Sequence, residues 1–515
     1  MTTLEGATGV VTAPFTGEEY IESLRDGREI YIYGERVDDA TTHPAFRNTI
    51  RSVAHLYDAL HDPEYHDVLT TPTDTGNGGF THKFFRAARS QQDMAGARDA
   101  IATWCKLSYG FMGRTPDFKA TFTATLGDLP EFYGEYADNA RAWYKLTQER
   151  VPFINHAIVN PPVDRDRGAD DNDVYIRVVK ETDAGVIVSG AKMVATGSMF
   201  TNYTFVANFQ PVFKQEYAIV FFVDMKTPGV KSFARPSYEM TAGAMGNPND
   251  YPLSSRFDEN DAILVFDNVL IPWENVLIYR DIDKSNHFLP ATGFAERAML
   301  HGTTRMGVKL DLISGLLMMA LEAAGTNTFR GVQANIGEVL AWRQLAWALS
   351  DALVSNTTQT PTGMHLPNAH HAIMTRLMNA IGWPRVKDII YQVVAGGLIV
   401  QPSSALDFAN PSIRPYLDRY FRGSNGYDAE SRNKVIKLLW DALGSEFGGR
   451  HDLYERNYAG NHEIVRINVL NYADMSGLSD QLKGFADKCM SDYDLNGWVN
   501  PIWASNDDLS ILSKP

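Results

Sequence analysis

The chain changes its hydrophobic period twice, and those two changes limit what it can fold into. Up to about residue 150, apolar side chains recur at helical spacing, as Ile50, Val53, Leu56 and Leu60 do in "AFRNTIRSVAHLYDALHD". "TPTDTGNGGFTHKFF" interrupts with turn formers. "SQQDMAGARDAIATWCKLSYGFMG" predicts a second helix ending at Gly113, and "DNARAWYKLTQERVPFINH" a further helical run stopped by Pro161–Pro162. From about 151 to 285 the pattern is that of strands. "DVYIRVVKETDAGVIVSGAKMVAT" carries two β-rich runs around Thr182-Asp183-Ala184-Gly185, a hairpin signal. "YAIVFFVDM" and "DAILVFDNVLIPWENV" add β-branched and aromatic strands, the second ending near Pro272-Trp273.

After about residue 290 the helical period returns and stays. "TRMGVKLDLISGLLMMALEAAG", "IGEVLAWRQLAWALSDALV", "WPRVKDIIYQVVAGGLIV" and "RNKVIKLLWDALGSEFGGRHDLYERNYAG" read as long helices. Their broad apolar faces suit a bundle whose core is shared between subunits. A chain of 515 residues is too long for one core. The expectation is an α+β protein with a helical domain over 1–150, a β domain over 151–285, and a helical bundle with a tail over 286–515.

A net charge of −15 and a pI near 5.3 argue against nucleic acid or anionic membrane as partners. No apolar run reaches the roughly 18–20 residues that span a bilayer. "MTTLEGATGVVTAPFTGEEY" lacks the basic and apolar parts of a secretory signal. The 2 cysteines, Cys105 and Cys489, supply neither a disulfide framework nor a thiolate-held metal cluster. These features lead one to expect a soluble cytoplasmic protein.

No G-x-G-x-x-G follows a strand, and no phosphate loop, nucleophile elbow or H-E-x-x-H occurs. A redox role would therefore need a cofactor held without a phosphate loop. Three clusters could carry chemistry. In "YGFMGRTPDF", Arg114 is either a structural ion-pair residue or a fixed cation aimed into a pocket. In "INHAIVNPPVDR", His156 is either a core histidine or a catalytic imidazole before a stiff loop. In "FGGRHDLYERNYAGNHE", Arg450, Asn461 and His462 form either a solvated basic face or a binding segment. Spacing alone leaves a soluble α+β enzyme of open reaction.

Along nearly its whole length the chain resembles the oxygenase component of 4-hydroxyphenylacetate 3-monooxygenase and its phenol and chlorophenol hydroxylase relatives. The stretches that carry the resemblance are "TGEEYIESLRDGREIYIYGERVDDATTHPAFRN", "YGFMGRTPDF", "NHAIVNPPVDR", "YPLSSRFDENDAILVFDNVLIPWENV" and "FGGRHDLYERNYAGNHE". The chain also looks like an actinobacterial branch of these enzymes, which acts on free phenols or carrier-tethered β-tyrosines. The resemblance implies an acyl-CoA dehydrogenase-like fold with an N-terminal helical domain, a β domain and a C-terminal four-helix bundle, assembled as a homotetramer. It also implies FADH2 supplied by a separate reductase, O2 as co-substrate, and ortho-hydroxylation of a phenol through a C4a-hydroperoxyflavin.

By the same resemblance, Arg114 and His156 hold the phenolic oxygen. His156, Ala157 and Ile158, then Pro162, Val163, Asp164 and Arg165, contact the flavin, as does Thr196. Asn208 and Phe209 fall where a substrate-covering loop would lie. Gly460, Asn461, His462 and Glu463 fall near a C-terminal flavin contact. Phe118 stands where members acting on 4-hydroxyphenylacetate carry tyrosine, so an apolar ring is kept and a hydrogen-bond donor lost. That departure leaves the phenol unspecified. No metal is implied.

The chemistry favours such residues. A phenol of pKa about 10 costs roughly 4 kcal/mol to ionise at pH 7. A fixed cation at about 4 Å is worth a similar amount at an effective dielectric near 20. Arg114 is thus the larger electrostatic contributor and His156 the general base and orienter. An acyl-CoA dehydrogenase proper, oxidising an acyl thioester with a glutamate base, is the competing reading, and a non-enzymatic helical scaffold a further one. The hydroxyacyl-CoA dehydratase branch needs three cysteines and a histidine for its iron–sulfur cluster, more cysteines than this chain has.

Overall fold

The computed structural model describes residues 12–164, 166, 173–457, 460–500, 505–508 and 512. The chain divides into two compact units, Met1–Arg456 and Asn457–Pro515.

The middle of the first unit holds two sheets. One is six-stranded, in the order 35–37, 29–32, 230–234, 262–272, 185–192 and 177–182. The other is four-stranded, in the order 276–279, 219–224, 203–206 and 154–157. Alternating side chains of both sheets meet in one core, with Val186, Val188, Leu264 and Phe266 against Ala157, Val206 and Phe221. The expected hairpin at 182–185 and the strand end at Pro272 are both present. Residues 29–32 and 35–37, within the stretch read as helical, are strands, and Glu29–Ile32 runs parallel to Val230–Ala234.

The outer face of the four-stranded sheet is covered by helices. Phe122, Leu126, Trp143 and Phe288 pack on Ile154, Phe205, Phe222 and Ile278. The helix Ala137–Arg150 ends well before Pro161. Val151 takes a left-handed conformation (φ 47°), and the following Pro152 cannot continue an α-helix. "INHA" is therefore a strand, Ile154–Ala157, rather than the end of a helix. Gly113 is not a helix cap either, because the helix Gln91–Leu107 stops at Ser108.

The C-terminal part of this unit is built on the 31-residue helix Phe294–Ala324, which packs against Arg330–Ser355, Ala369–Val394 and Ala429–Leu443. The last long helix expected from the sequence breaks at Gly444–Ser445 into Ala429–Leu443 and Glu446–Asn457. In the second unit, His462–Met475 and Leu478–Met490 pair across Gly477, whose φ of 75° a side-chain-bearing residue would resist. Among the described residues no helix is long and apolar enough to cross a membrane.

Candidate active site

The strand Ile154–Ala157 runs parallel to Tyr203–Val206, with His156 opposite Phe205. Side chains alternate along a strand. Ala157 enters the core between the sheets, whereas Ile154 and Phe205 face the helical layer. His156, in step with Ile154, is turned the same way. There it meets the short 3-10 turn Pro116–Lys119, which leads into the helix Ala120–Leu126.

Phe118 is the centre of this meeting and is buried. The Arg114 guanidinium carbon lies 4.1 Å from the centre of its ring, and Lys119 Nζ lies 4.2 Å away. The His156 ring is at 5.7 Å, and His301 approaches edge-on at 5.1 Å. An aromatic face tolerates cations through its quadrupole. Two basic side chains are thus gathered on one buried ring.

Arg114 is fixed at both ends. The backbone N–H groups of Gly113 and Arg114 donate to the Glu259 carboxylate at 2.8 and 2.5 Å. The guanidinium Nη1 donates to Tyr454 Oη at 2.5 Å. A Cβ at position 113 would fall 2.3 Å from that Tyr454 hydroxyl, so glycine is needed here for close approach. Glu259 accepts in turn from Arg450 Nη1 at 3.3 Å, and Arg450 forks onto Asp261 at 2.8 and 3.0 Å. Thr196 Oγ1 donates to Asp261 Oδ1 at 2.6 Å. Burial alone would raise the Asp261 carboxyl, but Arg450 and Arg235 outweigh it and hold that group well below the usual carboxylate range. A continuous, largely buried network therefore links Thr196 to Arg114.

His156 Nδ1 is in hydrogen-bond contact with Lys119 Nζ. Burial, then the nearby Lys119 and Arg114, push the His156 imidazole well below its ordinary range. Burial and Arg114 likewise push the Lys119 amine down, with Glu259 opposing. Below this layer the helix Phe294–Ala324 presents buried basic groups at a spacing of four: Arg297, His301, Arg305 and Lys309. Arg305 and Lys309 share Glu455, and Arg305 also donates to Gly110 O at 3.0 Å.

The remaining expected residues fall in three places. Asn208 Nδ2 donates to Tyr217 O at 3.0 Å, and its Oδ1 accepts from the buried Lys192, which also reaches Asn160. Phe209 is exposed, its N–H donating to Ile158 O at 3.1 Å. Pro162, Val163 and Asp164 are exposed beyond the strand of His156, and Arg165 lies outside the described residues. Gly460, Asn461, His462 and Glu463 belong to the second unit. There Asn461 caps the helix His462–Met475 through Ile464 N at 2.8 Å, with His462 and Glu463 exposed in its first turn. Sequence reasoning missed Lys119, Glu259, Asp261 and Tyr454, although all four lie inside or beside the quoted motifs.

The residues present fit a flavin. Val163, Val194, Phe209 and Phe213 are exposed apolar side chains on segments joined by Phe209 N to Ile158 O and by Met193 N to Val159 O (2.9 Å). These segments follow the strands Ile154–Ala157, Gly185–Lys192 and Tyr203–Val206, and their exposed apolar side chains are of the kind a flat heterocycle packs against.

A helical layer, a two-sheet sandwich and a helical bundle with this site define an acyl-CoA dehydrogenase-like flavoprotein. The family model described as 4-hydroxyphenylacetate 3-hydroxylase N terminal matches residues 16–278, and its C-terminal counterpart matches 285–487. The chain belongs to the 4-hydroxyphenylacetate 3-hydroxylase family. It is 57% identical over 500 residues to the oxygenase component of a Rhodococcus 4-nitrophenol 2-monooxygenase, covering 97% of this chain and 96% of that one. It is 55% identical to the oxygenase component of the Escherichia coli 4-hydroxyphenylacetate 3-monooxygenase, covering 97% of each chain. A Streptomyces globisporus monooxygenase of a carrier-protein-bound 3-amino-3-(3-chloro-4-hydroxyphenyl)propanoyl group is 53% identical, covering 95% of this chain and 93% of that one. A solved oxygenase component of 4-hydroxyphenylacetate 3-monooxygenase, complexed with FAD and 4-hydroxyphenylacetate, superposes with a TM-score of 0.86. It is 28% identical, and the match covers 92% of this chain and 99% of that one.

Proposed function

We propose that this protein is the oxygenase component of a two-component monooxygenase that uses FADH2 and O2 to hydroxylate a phenol at the ortho carbon. The observation that carries the reading is the convergence of Arg114 and a neutral His156 on one buried aromatic ring, inside a family of aromatic hydroxylases. The reduced flavin, when bound, supplies an electrophilic oxygen taken from O2. The chain's own residues make the ring electron-rich. Arg114, held by Glu259 and Tyr454, places a fixed cation for the phenolic oxygen. His156 orients that oxygen and receives its proton. Pro162 to Arg165 and Thr196 border the flavin, and the Asn208–Phe209 segment covers the substrate. Exclusion of water by that segment protects the oxygen donor from wasteful release as H2O2.

The substrate is a single-ring phenol, free or attached to a carrier protein. A homotetramer, a separate flavin reductase and a cytoplasmic setting complete the reading. By hydrophobic period the sequence reads as three regions, 1–150, 151–285 and 286–515, the last of which spans the boundary between the two compact units. Anaerobic loading with FADH2, followed by O2 in the presence of a panel of phenols, tests the reaction. At least one phenol should give close to one catechol per O2, and H2O2 alone with every phenol would count against it.

Position 118 is expected to set the phenol range. In Phe118→Tyr the new hydroxyl is added to a buried ring that Arg114, Lys119 and His301 already contact. One added hydrogen bond is worth about 1 kcal/mol, so relative kcat/KM among phenols should move by about fivefold. An unchanged range and unchanged coupling would make this ring mere scaffold.

A further inference from the structure

Lys119 is an unusual residue to find behind a catalytic imidazole. It is 1% exposed. Among the described residues its amine contacts His156 Nδ1 and the face of Phe118, with no carboxylate in an ion pair. The charged and titratable groups around it come from every neighbouring segment. Arg114 lies on its own segment, Glu259 before the strand Ala262–Pro272, His156 on Ile154–Ala157, and His301 across Phe118 on the helix Phe294–Ala324. A permanent ammonium here would sit beside Arg114 and an imidazole with no counter-ion of its own. Lysine shifts its protonation readily when buried, which arginine does not.

We propose that Lys119 is the proton acceptor behind His156, so that ionisation of the bound phenol leaves the proton on Lys119 Nζ. The inference rests on the phenol-hydroxylating reading above. With Nδ1 facing Lys119, Nε2 is the ring nitrogen left for the substrate. The phenol O–H bond breaks as an Nε2–H bond forms, and the Nδ1–H bond breaks as an Nζ–H bond forms. The imidazole is neutral before and after, and afterwards donates Nε2–H to the phenolate. No proton leaves the site, and the new anion stands among Arg114, His156 and a newly cationic Lys119.

The division of labour follows from proton affinities. An imidazole held below its ordinary range of about 6.5 keeps a proton from a phenol of pKa about 10 only against more than three powers of ten. An amine starts from an ordinary pKa of about 10.5, about four units above an imidazole, and burial and Arg114, which push it down, push His156 down as well, while a phenolate beside them favours the protonated form of both. Lys119 thus acts through His156 rather than on the substrate, and it sets the protonation and the tautomer of the ring.

The test uses FADH2-loaded protein under anaerobic conditions, with 4-nitrophenol as a chromophoric probe at pH 6. The wild type should bind it with the phenolate spectrum, and calorimetry in two buffers should find no proton released. Lys119→Met should raise the apparent pKa of the bound probe by at least one unit. It should also lower kcat for hydroxylation at least tenfold at pH 7, with recovery at higher pH. Lys119→Arg, cationic but unable to take up a proton, should bind the probe as phenolate only with release of about one proton to solvent. Wild-type spectrum and rate in Lys119→Arg with no proton released would overturn the proposal, leaving Lys119 a fixed charge. Release of one proton per phenolate bound by the wild type would overturn it without any variant and leave the hydroxylase reading intact. Failure of the wild type to bind any phenol would overturn both.

Discussion

Arg114→Ala is expected to leave FADH2 binding within about threefold of wild type while cutting hydroxylated product per O2 by a factor of about a hundred or more. The magnitude comes from one lost ion pair: about 4 kcal/mol at 4 Å and an effective dielectric near 20 is the ceiling. Loss of a preorganised donor at a developing anion usually costs a factor of about 100 to 1000. O2 consumption should continue, now ending in H2O2. His156→Ala should show the same signature with a smaller loss, about tenfold to a hundredfold, as general-base contributions run. Product yield per O2 equal to wild type in both variants would remove the roles assigned to this pair.

The second large effect concerns stability. Glu455 is buried between two cations, accepting from Arg305 at 2.8 and 2.6 Å and from Lys309 at 2.9 Å. Glu455→Gln leaves both bases buried against each other, and breaking a buried pair in this way typically costs about 3–5 kcal/mol. Chemical denaturation should read that loss directly. Coupling should fall too, because Glu455 neighbours Tyr454, which holds Arg114, and Arg305 holds Gly110.

The pH dependence gives an independent check. Burial would raise the Glu455 carboxyl, but Arg305 and Lys309 outweigh it and hold it at about 2, against 4.5 in the unfolded chain. The unfolded chain therefore takes up the proton first. The contribution is present in full above about pH 4.5 and is lost as pH falls toward about 2, an amount of about 3 kcal/mol. In Glu455→Gln the stability curve should be flatter across that window.

How much of this was legible in the sequence depends on what each residue's position relies on. The two changes of period located the β-rich middle, because period 2 and period 3.6 are local properties. The strand Ile154–Ala157 was hidden because its four residues are fewer than a period argument needs, and its pairing partner lies about fifty residues on. Distance hid the strand Glu29–Ile32 as well. It owes its state to Val230–Ala234, far along the chain, with the buried Ile30 opposite Ser232. Gly113 looked like a helix end because glycine so often is one. Its actual reason, the Tyr454 hydroxyl, lies 341 positions away.

The candidate site divides in the same way. Arg114, Phe118 and His156 could be named because they sit in motifs carried by the family resemblance, and the structure brings these three together. Lys119 could not, since a lysine beside an aromatic residue in a short turn is ordinarily solvated. Its burial depends on the strand of His156 crossing the turn Pro116–Lys119. Arg297, His301, Arg305 and Lys309 were spaced for recognition as one helix row. Their burial depends on Glu455 and on the backbone of the segment 110–120, which no local pattern reveals.

If Arg114 and His156 hold the phenol as proposed, an oxygen from O2 is delivered beside its hydroxyl. A single turnover of FADH2-loaded protein with 18O2 and its best phenol, followed by mass analysis of the product, reads that placement. One labelled oxygen per product is expected, on the carbon ortho to the original hydroxyl, with loss of that product in Arg114→Ala. Unlabelled product, label at another carbon, or undiminished labelled product from Arg114→Ala would contradict the assignment.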